Sequence, residues 1–309
     1  MSSDRLTTLS AVLDGLMSRY RQQVPDVGGI VHEMVREGII PHEGAIENDH
    51  IAFRTLGVPH LGIASLEQVF LHHGYQRRDR YAFKEKKLDA HWYAPPEERF
   101  PRIFISELRV GELSAEAARI VHLYTDGVRE DPVKRLDLDD ASAVVGFLHA
   151  PLWRTPTWAH YVRLRDESEY AAWVIFNRYY LNHFTVSVHN LPGVYGSLEH
   201  FNRFLEEHGF TLNDSGGKVK VSPDGKLLQS STVAAMVDAD FDDGRGGVDR
   251  KRIAGSYVEF AERRVLDEFA HLPPHEVRRE HRREGFESGN ADRIFESTYT
   301  TQTGRRQGT

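Results

Sequence analysis

The stretch Asn48-Asp49-His50-Ile51-Ala52-Phe53-Arg54-Thr55 reads as a short strand, and the fold class turns on that reading. Side chains of a strand alternate between its two faces, so His50, Ala52 and Arg54 share one surface while Ile51 and Phe53 share the other. The apolar pair can pack against a helix or a core layer. The opposite face then carries a metal-ligand residue type and a permanent cation on either side of a small residue, a combination that is costly to bury without a purpose.

Upstream of this strand, Leu6, Leu9, Val12, Leu13, Leu16, Met17 and Tyr20 recur at helical spacing and predict an amphipathic helix over about 5–22. A second helix is expected over about 26–37, closed by Gly38. Downstream, Ser65-Leu66-Glu67-Gln68 has the form of a helix start and Gly74 that of a stop. Tyr81–Lys86, Leu88–Ala94 and Arg102–Val110 read as strands, and helices follow at about 114–125, 139–149 and 167–181.

A second polar-faced strand comes next. In Asn182-His183-Phe184-Thr185-Val186-Ser187-Val188-His189, the residues His183, Thr185, Ser187 and His189 point one way and Phe184, Val186 and Val188 the other. A helix at 197–208 and strands near 218–222 and 227–234 lead to Asp238–Gly255, which is acidic, glycine-rich and then basic, and reads as a mobile loop. Tyr257–Glu262 alternates again, with Tyr257, Glu259 and Ala261 opposite Val258 and Phe260.

The order strand, helix, strands occurs twice, with no βαβαβ rhythm and no glycine-rich phosphate loop. This predicts an α+β fold over a doubly wound nucleotide-binding one. Residues 1–298 are expected to form a single α+β catalytic domain built from two β-rich halves, about 49–110 and 183–264, with helical additions. The polar stretch 299–309 reads as a disordered tail.

Composition narrows the chemistry. With no cysteine in 309 residues, disulfides, thiolate zinc sites, iron–sulfur clusters and cysteine nucleophiles are all excluded, so any metal must sit on His, Asp or Glu. A net charge of −7 argues against a nucleic-acid partner, and the arginine run Arg278–Arg283 is interleaved with acid and reads as a solvated face. No apolar run is long enough for a membrane helix, and the amino terminus has no secretory pattern, so a cytoplasmic protein without a membrane partner is expected.

Three strands therefore each set a metal-type ligand on a polar face: His50, either His183 or His189, and Glu259. Two histidines and one carboxylate form the facial triad that holds Fe(II) and leaves adjacent positions open for substrate and oxygen. His183 and His189 stand about 20 Å apart on a regular strand and cannot both serve one ion. Arg54 lies about 13 Å along the strand from His50 and can hold the far carboxylate of a metal-bound dicarboxylic acid, or else form a structural salt bridge. The bland alternative keeps the histidines as hydrogen-bonded core residues and pairs Glu259 with an arginine such as Arg263.

Several segments resemble one known family in order along most of the chain. These are Asp49-His50-Ile51-Ala52-Phe53-Arg54-Thr55, Arg102–Leu108, Asn182-His183-Phe184-Thr185, Leu228-Gln229-Ser230-Ser231-Thr232, Tyr257–Arg263, Gly285-Phe286 and Ile294–Thr298. The resemblance is to the 2-oxoadipate dioxygenase/decarboxylases, or hydroxyglutarate synthases, of lysine catabolism, in their shorter branch. It implies a vicinal-oxygen-chelate-like β-sheet cavity surrounded by helices. It also implies an Fe(II) site on His50, His183 and Glu259, and a substrate-binding arginine at Arg54.

The implied partners are a small 2-oxo acid, best matched by 2-oxoadipate, and O2, with 2-hydroxyglutarate and CO2 as products. Gln229, Ser231 and Tyr257 are further candidates for the substrate pocket. Two other readings of the same residues are a Zn- or Mn-dependent hydrolase or lyase, and a non-catalytic binder of an acidic metabolite.

Overall fold

The computed structural model describes residues 3–306. In chain order its elements are α1 (Ser3–Gln23), α2 (Pro25–Arg36), β1 (Asn48–Leu56), α3 (Ile63–His72), β2 (Gln76–Phe83), β3 (Leu88–Ala94) and β4 (Arg102–Leu108). Four helices follow: α4 (Ala115–Thr125), α5 (Ala141–Leu148), α6 (Trp158–Glu167) and α7 (Glu169–Asn177). Then come β5 (His183–Ser187), α8 (Leu198–Glu207), β6 (Lys220–Val221), β7 (Leu227–Ser231), β8 (Met236–Asp242), β9 (Val248–Ala254) and β10 (Tyr257–Arg263). The chain closes with α9 (Ser288–Ile294) and α10 (Thr300–Arg306). The α+β class expected from the sequence holds, and no helix among the described residues is long and apolar enough to cross a membrane.

The chain divides into two compact units that interleave in sequence. The first comprises the residues up to Gln23, Ala52–Asn182 and Met236–Ala254; the second comprises Val24–Ile51, His183–Ala235 and the chain from Gly255 onward. Strand β1 begins in the second unit and ends in the first.

In the first unit β2, β3 and β4 form an antiparallel meander, with Trp92 opposite Phe104 and Tyr93 opposite Ile103. Strand β2 runs from Gln76 to Phe83, earlier at both ends than the 81–86 expected; it stops at Phe83 because the lysines after it form the turn into β3, with Lys87 at φ 55°. Its exposed Arg77, Arg78 and Arg80 put charge on an outer strand, which discourages edge-to-edge pairing. The single helix expected at 167–181 is two. Ser168 breaks it by accepting the Ala171 N–H as an N-cap, so α6 ends at Glu167 and α7 starts at Glu169.

The segment 238–255, expected to be a mobile loop, is instead the antiparallel hairpin β8–β9, with Asp238 opposite Arg252 and Asp240 opposite Arg250. Its composition misleads because one face is charged while the other is buried: Ala239 and Phe241 are enclosed, and the Phe241 ring sits against Trp158, Tyr161 and Phe176. The glycines that suggested mobility lie in its turn, where Gly244 and Gly246 adopt positive φ.

In the second unit the strand order is β5-β10-β7-β6, with β10 parallel to β5 and antiparallel to β7. Helix α8 covers this sheet and sets Phe201 against Phe260, tilted, at 5.2 Å between ring centres. Residues 299–309, expected to be disordered, include α10, whose Gln302 and Thr303 are buried. Arg306 grips both carboxylate oxygens of Asp26 at 2.6 and 2.7 Å and donates to the Val233 carbonyl at 2.7 Å. The last part of that expected tail, 307–309, lies outside the described residues.

Candidate metal centre

Strand register in the second unit brings the polar faces together. Glu259 on β10 lies opposite Thr185 on β5 and Ser231 on β7, and Tyr257 lies opposite His183. His183, Thr185, Tyr257, Glu259, Gln229 and Ser231 therefore project from one surface of the sheet. The apolar alternates Phe184, Val186, Val258 and Phe260 take the other surface and are buried there.

His50, from the second-unit end of β1, completes the cluster. Its Nε2 lies 3.3 Å from His183 Nε2 and 3.5 Å from Glu259 Oε1, while His183 Nε2 lies 3.0 Å from Glu259 Oε2. One ligand atom from each of the three residues falls within 4.8 Å of the others, and all three side chains are buried. Adjacent ligands bound about 2.1 Å from a shared ion stand about 3 Å apart, so the observed separations fit one ion. Two imidazoles and a carboxylate are also the donor set suited to Fe(II) and related first-row metals.

The charges are matched. Burial alone would raise the Glu259 carboxyl, but the imidazoles of His50 and His183 outweigh it and hold the group well below the usual carboxylate range. For His50 burial acts downward, yet Glu259 and Asp49 outweigh it and raise the imidazole above its ordinary value. The three side chains are electrostatically interdependent, and a divalent cation could replace the shared protons.

Around His50 the packing is specific. Its Nδ1 lies 2.8 Å from Asp49 Oδ1, and its Nε2 is 3.1 Å from Thr185 Oγ1. Arg263 donates to Asp49 from Nε at 2.7 Å and from a terminal nitrogen at 2.9 Å. The Phe286 ring meets the imidazole edge-on at 4.7 Å between centroids.

The remaining expected residues fall as follows. Gln229 Nε2 donates to Glu259 Oε1 at 2.6 Å, and Asn290 Nδ2 donates to Gln229 Oε1 at 3.1 Å. Ser231 Oγ lies 2.8 Å from Ser297 Oγ, to which Asn213 Nδ2 also donates. The Tyr257 ring lies 4.9 Å from that of His183.

His189, the alternative ligand, is not in the cluster. Strand β5 stops at Ser187, a short 3-10 turn occupies Val188–Asn190, and His189 Nδ1 accepts the Arg263 N–H at 3.2 Å, with burial lowering its pKa to about 4.

In the first unit, Arg54 is buried with its guanidinium 5.2 Å from the ring centres of both Tyr170 and Trp173. Tyr170 is itself fixed, since its hydroxyl accepts the Thr55 N–H at 3.1 Å and lies 2.8 Å from Ser106 Oγ. Sequence reasoning missed Asp49, Thr185, Asn290 and Phe286. Of these Asp49 left a local signal, as a carboxylate directly before the candidate ligand, and so did Thr185, two residues from His183 on the same strand face. Arg263, the partner suggested for Glu259, pairs with Asp49 instead.

The sequence model of the family described as HGLS, 2-oxoadipate dioxygenase/decarboxylase, matches residues 12–271. The chain belongs to the 2-oxoadipate dioxygenase/decarboxylase family. It is an enzyme of the oxidoreductase class. The chloroplastic 2-oxoadipate dioxygenase/decarboxylase of Arabidopsis thaliana is 44% identical over 271 residues, covering 84% of this chain and 70% of that protein.

Among solved structures of the family, the hydroxyglutarate synthase of Oryza sativa in complex with 2-oxoadipate superposes with TM-score 0.88. It is 40% identical, over 99% of this chain and 96% of its own. A putative glyoxalase superfamily protein from Ralstonia eutropha JMP134 is 22% identical over 92% of this chain and 87% of its own, with TM-score 0.70. That likeness concerns the fold and bears out the vicinal-oxygen-chelate-like class expected from the sequence.

Proposed function

We propose that this chain is an Fe(II)-dependent dioxygenase that decarboxylates 2-oxoadipate with O2 to give 2-hydroxyglutarate and CO2. The observation that carries the reading is the convergence of His50, His183 and Glu259, buried, with one ligand atom each inside 4.8 Å. The names of the related proteins point to 2-oxoadipate. The reaction balances without another reductant, because both oxygen atoms of O2 end in the products and the substrate supplies the electrons.

Fe(II) on these ligands would supply adjacent coordination positions where the carboxylate and keto oxygens of a 2-oxo acid meet O2. The protein's own share is positioning. Glu259 enters the site ionised, and the Asp49 carboxylate holds a proton on His50 Nδ1, which leaves Nε2 as the ligand atom. Arg54 follows His50 by four residues on the continuous strand β1, and we assign it the far carboxylate of the substrate. Tyr170 and Trp173 set their rings 5.2 Å from that guanidinium, a cation–π contact that supports its placement. Gln229, Ser231 and Tyr257 were candidates for substrate contact. The hydrogen bond from Gln229 to Glu259 supports a role in holding the metal ligand.

The test is anaerobic reconstitution with Fe(II), followed by oxygen-electrode and CO2 measurements with 2-oxoadipate. Equal uptake of O2 and release of CO2, lost in His50→Ala and Glu259→Ala, is expected. No turnover of 2-oxoadipate or any other 2-oxo acid by the iron-loaded wild type would overturn the proposal.

A further inference from the structure

One guanidinium in the second unit makes contacts that a surface ion pair would not need. Arg263 is the last residue of β10, the strand that carries Glu259, and both it and its partner Asp49 are 1% exposed. Nε and one terminal nitrogen form a two-point fork on Asp49, at 2.7 and 2.9 Å. The other terminal nitrogen donates to the carbonyls of Arg283 and Gly285, at 2.9 and 2.7 Å. The residue after those carbonyls, Phe286, lies under the guanidinium at 5.6 Å and edge-on to His50 at 4.7 Å. Asp49 in turn reaches His50 Nδ1 at 2.8 Å.

A histidine can present either ring nitrogen to a metal, and the choice is set by the hydrogen bond the other nitrogen makes. Here the acceptor at Nδ1 is a carboxylate whose two oxygens are fixed by the planar fork of an arginine. A lysine cannot reproduce that fork, since an ammonium is a point donor. The fork also ties three segments to one imidazole: the start of β1, the end of β10 and the 283–286 segment.

We propose that Arg263 is a positioning residue for the metal centre: through Asp49 it fixes the Nδ1–H tautomer and the orientation of His50, so that Nε2 faces His183 and Glu259. The inference rests on the metal-site reading of His50, His183 and Glu259 and does not depend on the substrate.

Co(II) and Zn(II) serve as probes, because neither requires turnover. Chelator competition on the full chain, followed by Co(II) visible absorption, should show Asp49→Asn and Arg263→Lys binding about 10- to 100-fold more weakly than wild type. Long-range imidazole nitrogen NMR of the Zn(II)-loaded wild type should place the His50 proton on Nδ1. Unchanged Co(II) affinity in both variants, or a proton on Nε2, would overturn the proposal. If either substitution prevents folding, the wild-type spectrum decides alone. A wild type that binds neither Co(II) nor Zn(II) would sink the metal-site reading itself, whereas variants that bind like a metal-binding wild type would sink only the role of Arg263.

Discussion

Gln229 Nε2 donates to Glu259 Oε1 at 2.6 Å, and Asn290 fixes the other end of the same amide at 3.1 Å. A buried carboxylate that accepts a hydrogen bond from a held amide keeps its orientation when a metal arrives, because neither partner has freedom left to lose. Gln229→Met keeps length and volume but removes the donor. The expected result is roughly tenfold weaker Co(II) binding by chelator competition, with the KM for 2-oxoadipate near that of wild type once the metal is saturating. A variant with intact metal affinity and a raised KM would return Gln229 to the substrate pocket.

The role proposed for Arg54 allows substrate binding to be tested apart from metal binding. Its guanidinium lies 5.2 Å from the ring centres of Tyr170 and Trp173 in the first unit, while the three candidate metal ligands belong to the second. Arg54→Lys keeps the charge and loses the fork geometry of the guanidinium. Loss of about 2–3 kcal/mol of charge-assisted hydrogen bonding corresponds to roughly 30- to 150-fold in kcat/KM for 2-oxoadipate. Iron content by elemental analysis should stay equal to that of wild type. Loss of iron would assign Arg54 to the integrity of β1 instead.

His183 and His189 test how far periodicity can be trusted. In sequence they share one alternating face; in the structure the strand ends at Ser187 and His189 turns to the backbone of β10. His183→Ala should abolish stoichiometric Co(II) binding. His189→Ala should retain it while lowering Tm, since the Arg263 N–H loses its acceptor, a deficit of about 1–3 kcal/mol. Titration of both variants under the same conditions decides between them, and equal loss of metal would reinstate His189.

Why some of this was legible and some was not follows from the range of each interaction. Strand faces repeat every two residues, so His50, His183 and Glu259 could be nominated one strand at a time. Periodicity left His183 and His189 open and only the family resemblance favoured His183; the physical reason is the length of β5, which is set by the turn at Val188–Asn190 and leaves no mark in the alternation. The β8–β9 hairpin was hidden because its buried face consists of only a few residues such as Ala239 and Phe241 between aspartates, so composition read as loop. Arg263 and Asp49 are separated by 214 positions, and nothing local marks them as partners. The tail was misread because Arg306 finds its carboxylate in α2, at the far end of the sequence.

The pH dependence of stability gives a test that needs no metal. His73 closes α3 in the first unit with no exposed surface, and burial, with a smaller contribution from neighbouring His72, lowers its pKa to about 4. In the unfolded chain the same imidazole titrates near 6.5. As pH falls, the unfolded state takes up this proton first. The stability attached to a neutral His73 is therefore fully present above pH 6.5 and is lost progressively toward pH 4.

At pH 5 the linkage amounts to about 2 kcal/mol, or roughly 3 °C in Tm for a chain of this length. His73→Leu abolishes the titration. Its Tm should fall less than that of wild type between pH 7.5 and pH 5, by about that amount, when the metal-free proteins are compared by calorimetry. Parallel Tm–pH curves for the two proteins would show that His73 does not carry this part of the acid sensitivity.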